Sequence, residues 1–353
     1  MPARSRKAKC RRLVARRPNP SNPPVASAAV GHLLVGWSDR GVWRYAAAMR
    51  DIDAAVVQMC AGPDPEASLA RAAELTSEAL ERGAGLVVLP ENYWGVAPPG
   101  FDRLAWAADL RGLSASGESG SEPAGEPPAV LAAQLVLSRG SDALIVLGGL
   151  PERPGPEDGA PVGTIFNTLA VLHRGRVVAT YRKIHRFDAT LQDGSKLQES
   201  ANVAAGSHPT VLDTPRACLG LSICYDLRFP ELYRALAAAG ADILLVPSAF
   251  TLFTGLAHWE PLLRARAIEN QAYVLAPAQH GPHGHGRHSY GHSMIVDPWG
   301  TVIAEASRGD GVAIARLRGE VLARVRADLP ALTHRRLSGE TSVTRRSLPV
   351  ERP

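Results

Sequence analysis

Three residues able to do chemistry stand at the ends of apolar runs. Glu91 follows Gly85-Leu-Val-Val-Leu-Pro90, Lys183 follows Val177-Val-Ala-Thr-Tyr-Arg182, and Cys224 follows Leu219-Gly-Leu-Ser-Ile223. A buried strand has no need to hand over to charge so abruptly, whereas a strand that delivers a reactive group to a pocket does. A carboxylate, an ammonium and a thiol are the parts needed to attack an amide carbon. The carboxylate takes the thiol proton, the ammonium stabilises the oxyanion, and the same carboxylate then activates the water that hydrolyses the thioester. Cys224 sits where a strand meets a helix, expected from Pro230-Glu-Leu-Tyr onward. Such a turn aims the following backbone N–H, that of Tyr225, at the same point in space, and the helix N-terminus is expected to favour thiolate over thiol. A lone cysteine in a strand is more simply a packed core residue, and that is the reading for Cys218. The two charges that accompany Cys224 argue for chemistry there.

Those positions require alternating strands and helices. Strands are expected at 53–58, 85–90, 143–149, 166–173, 176–181, 217–223, 242–247, 272–278, 292–297 and 301–304. Helices are expected at 66–82, 130–138, from 230, and at 258–270, with apolar side chains at helical spacing. The pattern predicts an α/β protein whose sheets are covered by helices. Segment 112–128 is rich in Gly, Ser, Pro and Glu and reads as a flexible insertion. His280, His283, His285, His288 and His292 crowd a Gly-rich stretch that reads as a loop; with no cysteine or carboxylate among them, no metal is expected there. Asp226 and Glu231 read as capping and bridging residues of the helix start.

The chain of 353 residues is 45% hydrophobic and 21% charged, enough for a large core, and no apolar run approaches the length of a membrane helix. Four cysteines without disulfide or CxxC spacing suit free thiols in a reducing, cytoplasmic setting. The net charge of +5 is unevenly spread: residues 1–50 hold eleven Lys or Arg against one acid, which leaves the rest mildly acidic. That basic, Pro-containing segment is expected to be a disordered extension, with organellar targeting as the alternative. Neither nucleic acid nor a membrane is expected as a partner of the body of the chain.

The stretches "LPENYW", "YRKIHRFD" and "GLSICYDLRFPELYRAL", in this order with their key residues 92 and 41 positions apart, resemble the catalytic motifs of the nitrilase superfamily of carbon–nitrogen hydrolases. The resemblance spans about residues 52–337, with 338–353 left as a tail. It implies a four-layer αββα sandwich, no cofactor, and association into a homodimer or higher homo-oligomer. It places the superfamily's second glutamate at Glu199, within "LQESANVAAG", where it orients Lys183; taken alone, Glu199 reads as a surface loop residue. Residues 247–274, 287–306 and 329–336 most resemble Nit-type amidases, a branch that hydrolyses deaminated glutathione, a 2-oxo-acid amide. This implies that Arg228 pairs with a substrate carboxylate and that Phe250 and Thr254 line the same pocket. An ω-amidase acting on 2-oxoglutaramate, an N-carbamoyl-amide hydrolase and a non-enzymatic binding protein on this fold are the alternatives.

Overall fold

The structure, a computed structural model, describes residues 48–337 except 97, 99, 112, 114–125, 191–195 and 307, together with two short paired strands, Leu34–Trp37 and Trp43–Tyr45. The remainder of the N-terminal segment, most of the 112–128 insertion and the 338–353 tail lie outside the described residues.

Strand β1 (Ile52–Met59) explains the layering. Its side chains alternate, so Ile52, Ala54 and Val56 enter one core while Ala55, Val57 and Met59 enter another. The second core lies beneath α1 (Pro65–Glu81) and α2 (Ala129–Arg139), which contribute Leu75, Ala79, Leu131 and Leu135. Helix α1 starts where the Asp64 carboxylate accepts the N–H groups of Glu66 and Ala67, with Pro65 in the first turn. The first sheet continues with β2 (Leu86–Val88), β3 (Leu144–Glu152), β4 (Ile165–His173), β5 (Arg176–Arg182) and β6 (Val203–Ala204). β1, β2 and β3 are parallel neighbours, and β4 and β5 follow as antiparallel ones.

The second sheet is built from β7 (Thr210–Asp213), β8 (Cys218–Leu221), β9 (Ile243–Leu245) and β10 (Tyr273–Ala276), with two later strands described below. Between β8 and β9 runs α3 (Pro230–Ala238), and between β9 and β10 runs α4 (Leu252–Asn270). The first core lies between the sheets, where Val88, Val146 and Leu169 meet Leu219, Leu221 and Ile243, and it extends to Leu236, Trp259 and Leu263 of the helices. Helix, sheet, sheet and helix thus form an αββα sandwich. Among the described residues no helix is long and apolar enough to cross a membrane.

Several elements depart from the sequence reading. Helix α4 starts six residues before the expected 258, because the Thr251 hydroxyl accepts the Thr254 N–H and caps it there. The histidine-rich stretch is a hairpin of β11 (Ala278–Gly284) and β12 (Arg287–Tyr290), not a loop. Its glycines 281, 284 and 286 have positive φ, which lets the ribbon bend where side chains would strain it. Strands β13 (Met294–Val296) and β14 (Val302–Glu305) complete the second sheet. β15 (Gly311–Leu317) then runs antiparallel along β1 from Gln58 to Ile52, and α5 (Gly319–Asp328) follows. Neither was anticipated.

Candidate active site

The first carboxylate is held by a break in the sheet. Pairing of β3 with β4 slips between Leu147 and Leu150, where Gly148 and Gly149 sit. A Cβ at Gly149, whose φ is +71°, would lie 2.6 Å from Asn167 Oδ1 and 2.9 Å from Glu91 Cγ. Only glycine lets this backbone approach Glu91 so closely. Beyond the end of β2, Glu91 is thereby enclosed and only 3% exposed.

Strand β5 delivers Lys183, whose N–H donates to Asn167 O across the sheet at 2.9 Å. Its Nζ donates to Glu91 Oε1 at 2.8 Å and to Glu199 Oε1 and Oε2 at 3.0 and 2.9 Å. Glu199 opens a short turn after the hairpin of Asp188–Thr190 with Lys196–Gln198. It also accepts the Phe187 N–H at 2.7 Å, so it lies in the site rather than on an open loop. Asn167 ties the two carboxylates together: its Nδ2 donates to Glu91 Oε1 at 2.9 Å and to Glu199 Oε1 at 3.2 Å.

The sharp turn after β8 carries Cys224. Its φ of +49° is one that side chains rarely adopt, and the surroundings hold it there. The Cys224 N–H donates to Pro247 O at 2.9 Å and is therefore engaged. Asp226, fully buried, accepts the Ile223 N–H and the Tyr181 hydroxyl on one oxygen. Its other oxygen accepts the His185 N–H and meets His185 Nδ1. Capping was the expected role of Asp226; clamping this turn to β5 and the segment after it is what the contacts add. Glu231 is exposed.

Electrostatics set the resting state. Burial pushes the Cys224 thiol well up, the charge of Glu91 adds to this, and Lys183 opposes it. Of its neighbours, Glu91 favours the protonated sulfur and the backbone of Ala249 opposes it. The sulfur is therefore a thiol at neutral pH, contrary to the thiolate expected from a helix N-terminus; α3 begins only at Pro230, after a separate turn over Cys224–Arg228. Burial alone would lower Lys183, but the charges of Glu199 and Glu91 outweigh it and raise it well above its usual range. Burial would raise Glu199, yet Lys183 and the Phe187 N–H bring it below the usual carboxylate range. Two carboxylates, one ammonium and a neutral thiol are the resting charges.

Glu91, Lys183, Glu199 and Cys224 line one cleft. Arg228, Phe250 and Thr254 are not among its lining residues. Arg228 lies 5.2 Å from the Phe250 ring and 5.8 Å from the Tyr225 ring, and donates to His258 Nδ1 at 3.2 Å. Thr254 is buried in the first turn of α4. Cys218 is buried in β8, as its reading as a core residue required. Asn167, Gly149, Arg103 and Arg287 face the cleft without having been singled out. Only Asn167 carried a local signal, as the one amide in the apolar run Ile165-Phe-Asn-Thr-Leu-Ala-Val171. Among the histidines, His283 is buried between Ala61 O and Ser289 Oγ, and His280 and His292 meet Asp310 and Glu305. Among the described residues no cluster suited to a metal is present.

Residues 53–327 match the pattern of the Carbon-nitrogen hydrolase family. The chain belongs to that family. The hydrolase is 40% identical over 290 residues to the deaminated glutathione amidase of Synechocystis, covering 81% of this chain and 99% of the relative. It is 43% identical over 284 residues to the deaminated glutathione amidase of Homo sapiens, covering 80% and 81%. In three dimensions it superposes on the NitFhit protein of C. elegans with a TM-score of 0.69 at 36% identity, covering 82% of this chain and 66% of that longer one. The hydrolase is thus an enzyme of the nitrilase superfamily that acts on carbon–nitrogen bonds other than peptide bonds.

Proposed function

We propose that the hydrolase cleaves the distal amide of carboxylate-bearing 2-oxo acids, deaminated glutathione first among them, through a Cys224 thioester. The observation that carries this reading is the convergence of Glu91, Lys183, Glu199 and Cys224 on one cleft, with Lys183 hydrogen-bonded to both carboxylates. Resemblance to amidases of that name over nearly their whole length supports the choice of substrate.

In this mechanism Glu91 takes the thiol proton as Cys224 Sγ bonds to the amide carbon. The oxyanion is met by Lys183 Nζ and the Tyr225 N–H, since the Cys224 N–H is spent on Pro247. Glu91 returns its proton to the departing nitrogen, which leaves as the amine, here Cys-Gly, while the 2-oxo acyl group stays on sulfur. Glu91 then deprotonates a water that attacks the thioester, and the thiol is regenerated with release of 2-oxoglutarate. Glu199 holds Lys183 in place, and Asn167 fixes Glu199 relative to Glu91. Arg228, whose fork would suit a carboxylate at two points, stands outside the cleft lining beside Phe250 and donates to His258, so it can receive the 2-oxo-acid carboxylate only after turning away from His258.

The test is a panel of steady-state rates on deaminated glutathione, 2-oxoglutaramate, an N-carbamoyl amino acid and an aliphatic nitrile. Deaminated glutathione should give the highest kcat/KM. A faster reaction with 2-oxoglutaramate would make the protein an ω-amidase, and a faster one with either of the last two would overturn the substrate class.

A further inference from the structure

Two guanidinium groups face the cleft in addition to the four residues that converge there. Arg103 immediately precedes the turn Leu104–Trp106, Arg287 opens β12, and both line the cleft with Glu91, Lys183, Glu199 and Cys224. Several other arginines of the body are committed. Arg182 holds Glu152 and Asp158, Arg266 holds Glu269, and Arg326 holds Asp242. Among the described residues, Arg103 and Arg287 have no hydrogen-bond or ion-pair partner for their side chains.

The two line the same cleft. Burial lowers the basicity of Arg103 and the charge of Arg287 lowers it further, with Glu199 opposing. Arg287 is open to solvent at the mouth, so its position weighs more here than its shifted basicity. Glu199 and Glu91 offset part of this repulsion, but Lys183 already takes up one of their two charges. Two guanidiniums and one ammonium against two carboxylates leave the cleft with an excess positive charge that an incoming anion neutralises. Placed at the mouth of the cleft rather than at the thiol, that anion belongs to a part of the substrate some way from the reacting carbon.

We infer that Arg103 and Arg287 together receive a carboxylate on the leaving-group side of the scissile amide. The hydrolase then selects amides with an acid at both ends, one on the acyl side and one on the amine side. This rests on the proposed amidase reading for which end is which, but the presence of an anion site in the cleft does not. Bidentate guanidinium contacts make such a site selective for carboxylate over its neutral amide.

Two measurements separate the inference from the reading beneath it. The first is alkylation of Cys224 by N-iodoacetyl-glycylglycine, whose carboxylate lies well beyond the reacting carbon, and by its C-terminal amide, followed by mass spectrometry. Both reagents form the same S–C bond with loss of iodide and differ only in the anion, so no amide substrate is needed. The ratio of acid to amide alkylation rates should fall at least about tenfold in the Arg103→Gln/Arg287→Gln double variant; an unchanged ratio overturns the anion site. The second compares an N-(2-oxoglutaryl) dipeptide with its C-terminally amidated twin. The wild type should prefer the free acid by about tenfold or more in kcat/KM, and each single variant should shrink that preference. Equal loss on both substrates, or no preference in the wild type, overturns the leaving-group assignment. A wild type inert to every 2-oxo amide while the alkylation ratio behaves as expected sinks the substrate reading and the leaving-group assignment, and leaves only the anion site. Circular dichroism and unfolding of the variants confirm that folded proteins are compared.

Discussion

Replacing Asp226 by Asn exchanges one oxygen for an NH2 group and should damage both stability and turnover. One carboxylate oxygen accepts the Ile223 N–H at 2.9 Å and the Tyr181 hydroxyl at 2.7 Å. The other accepts the His185 N–H at 3.1 Å and lies 2.6 Å from His185 Nδ1. The hydroxyl can rotate and the imidazole can change tautomer, but the two backbone N–H groups can only donate. An amide has one oxygen, so in either orientation its NH2 confronts one of them. A buried N–H left without an acceptor costs about 1–3 kcal/mol, and loss of the charge weakens the remaining bonds by about 1 kcal/mol. Urea unfolding at pH 7 should therefore show a loss of about 2–4 kcal/mol, with the midpoint lowered and the slope unchanged. With the φ +49° turn at Cys224 less firmly held, the sulfur is misplaced and kcat should fall by at least about tenfold. A stability within about 0.5 kcal/mol of wild type, together with an unaltered kcat, would refute the claim that this carboxylate clamps the turn.

Two further perturbations address the base and the acid range of stability. Glu91→Gln should lower kcat by about 10²- to 10⁴-fold, and intact mass spectrometry under substrate should find no accumulated acyl-enzyme, because thioester formation and hydrolysis both need the base; a large stable adduct would restrict Glu91 to the second half-reaction. His283, buried against Ala61 O and Ser289 Oγ, has its pKa lowered by burial to about 4, below its ordinary 6.5. The unfolded chain then binds the extra proton first, so this contribution to stability is fully present above pH 6.5 and is lost as the pH falls toward 4, by up to roughly 3 kcal/mol. Denaturant unfolding across that interval should show the loss in the wild type, and a His283→Gln variant should show a shallower slope.

Glu91, Lys183 and Cys224 could be found in the sequence because each ends a local apolar run, and a strand's end is a position that neighbouring residues define. Glu199 could not be placed by its neighbours, since its surroundings come from Lys183 and Phe187 at the far side of a hairpin. Arg103 and Arg287 lie 184 positions apart and meet only through the fold. β15 is an apolar run of ordinary strand length, but its pairing along all of β1 joins residues more than 250 positions apart. The hairpin of β11 and β12 was misread because Gly, Pro and His at 281–286 mask its alternation. Thr251, a single hydroxyl, reset the start of α4 where periodicity saw nothing.

The protonated state of Cys224 has a bearing on oxidative damage. Peroxide attacks thiolate, not thiol, and the susceptibility of a cysteine follows its thiolate fraction and exposure. A cysteine that is 7% exposed, and whose sulfur burial and Glu91 keep protonated, offers little of either while the cleft is empty. The nucleophile is then generated only when an amide carbon is in place to consume it, and the idle enzyme resists conversion to sulfenic and sulfinic acids. Cys224 should accordingly be oxidised by dilute peroxide at neutral pH more slowly than a free cysteine in solution, as peptide mass spectrometry over time can measure; an equal or faster rate would mean the resting sulfur is largely thiolate.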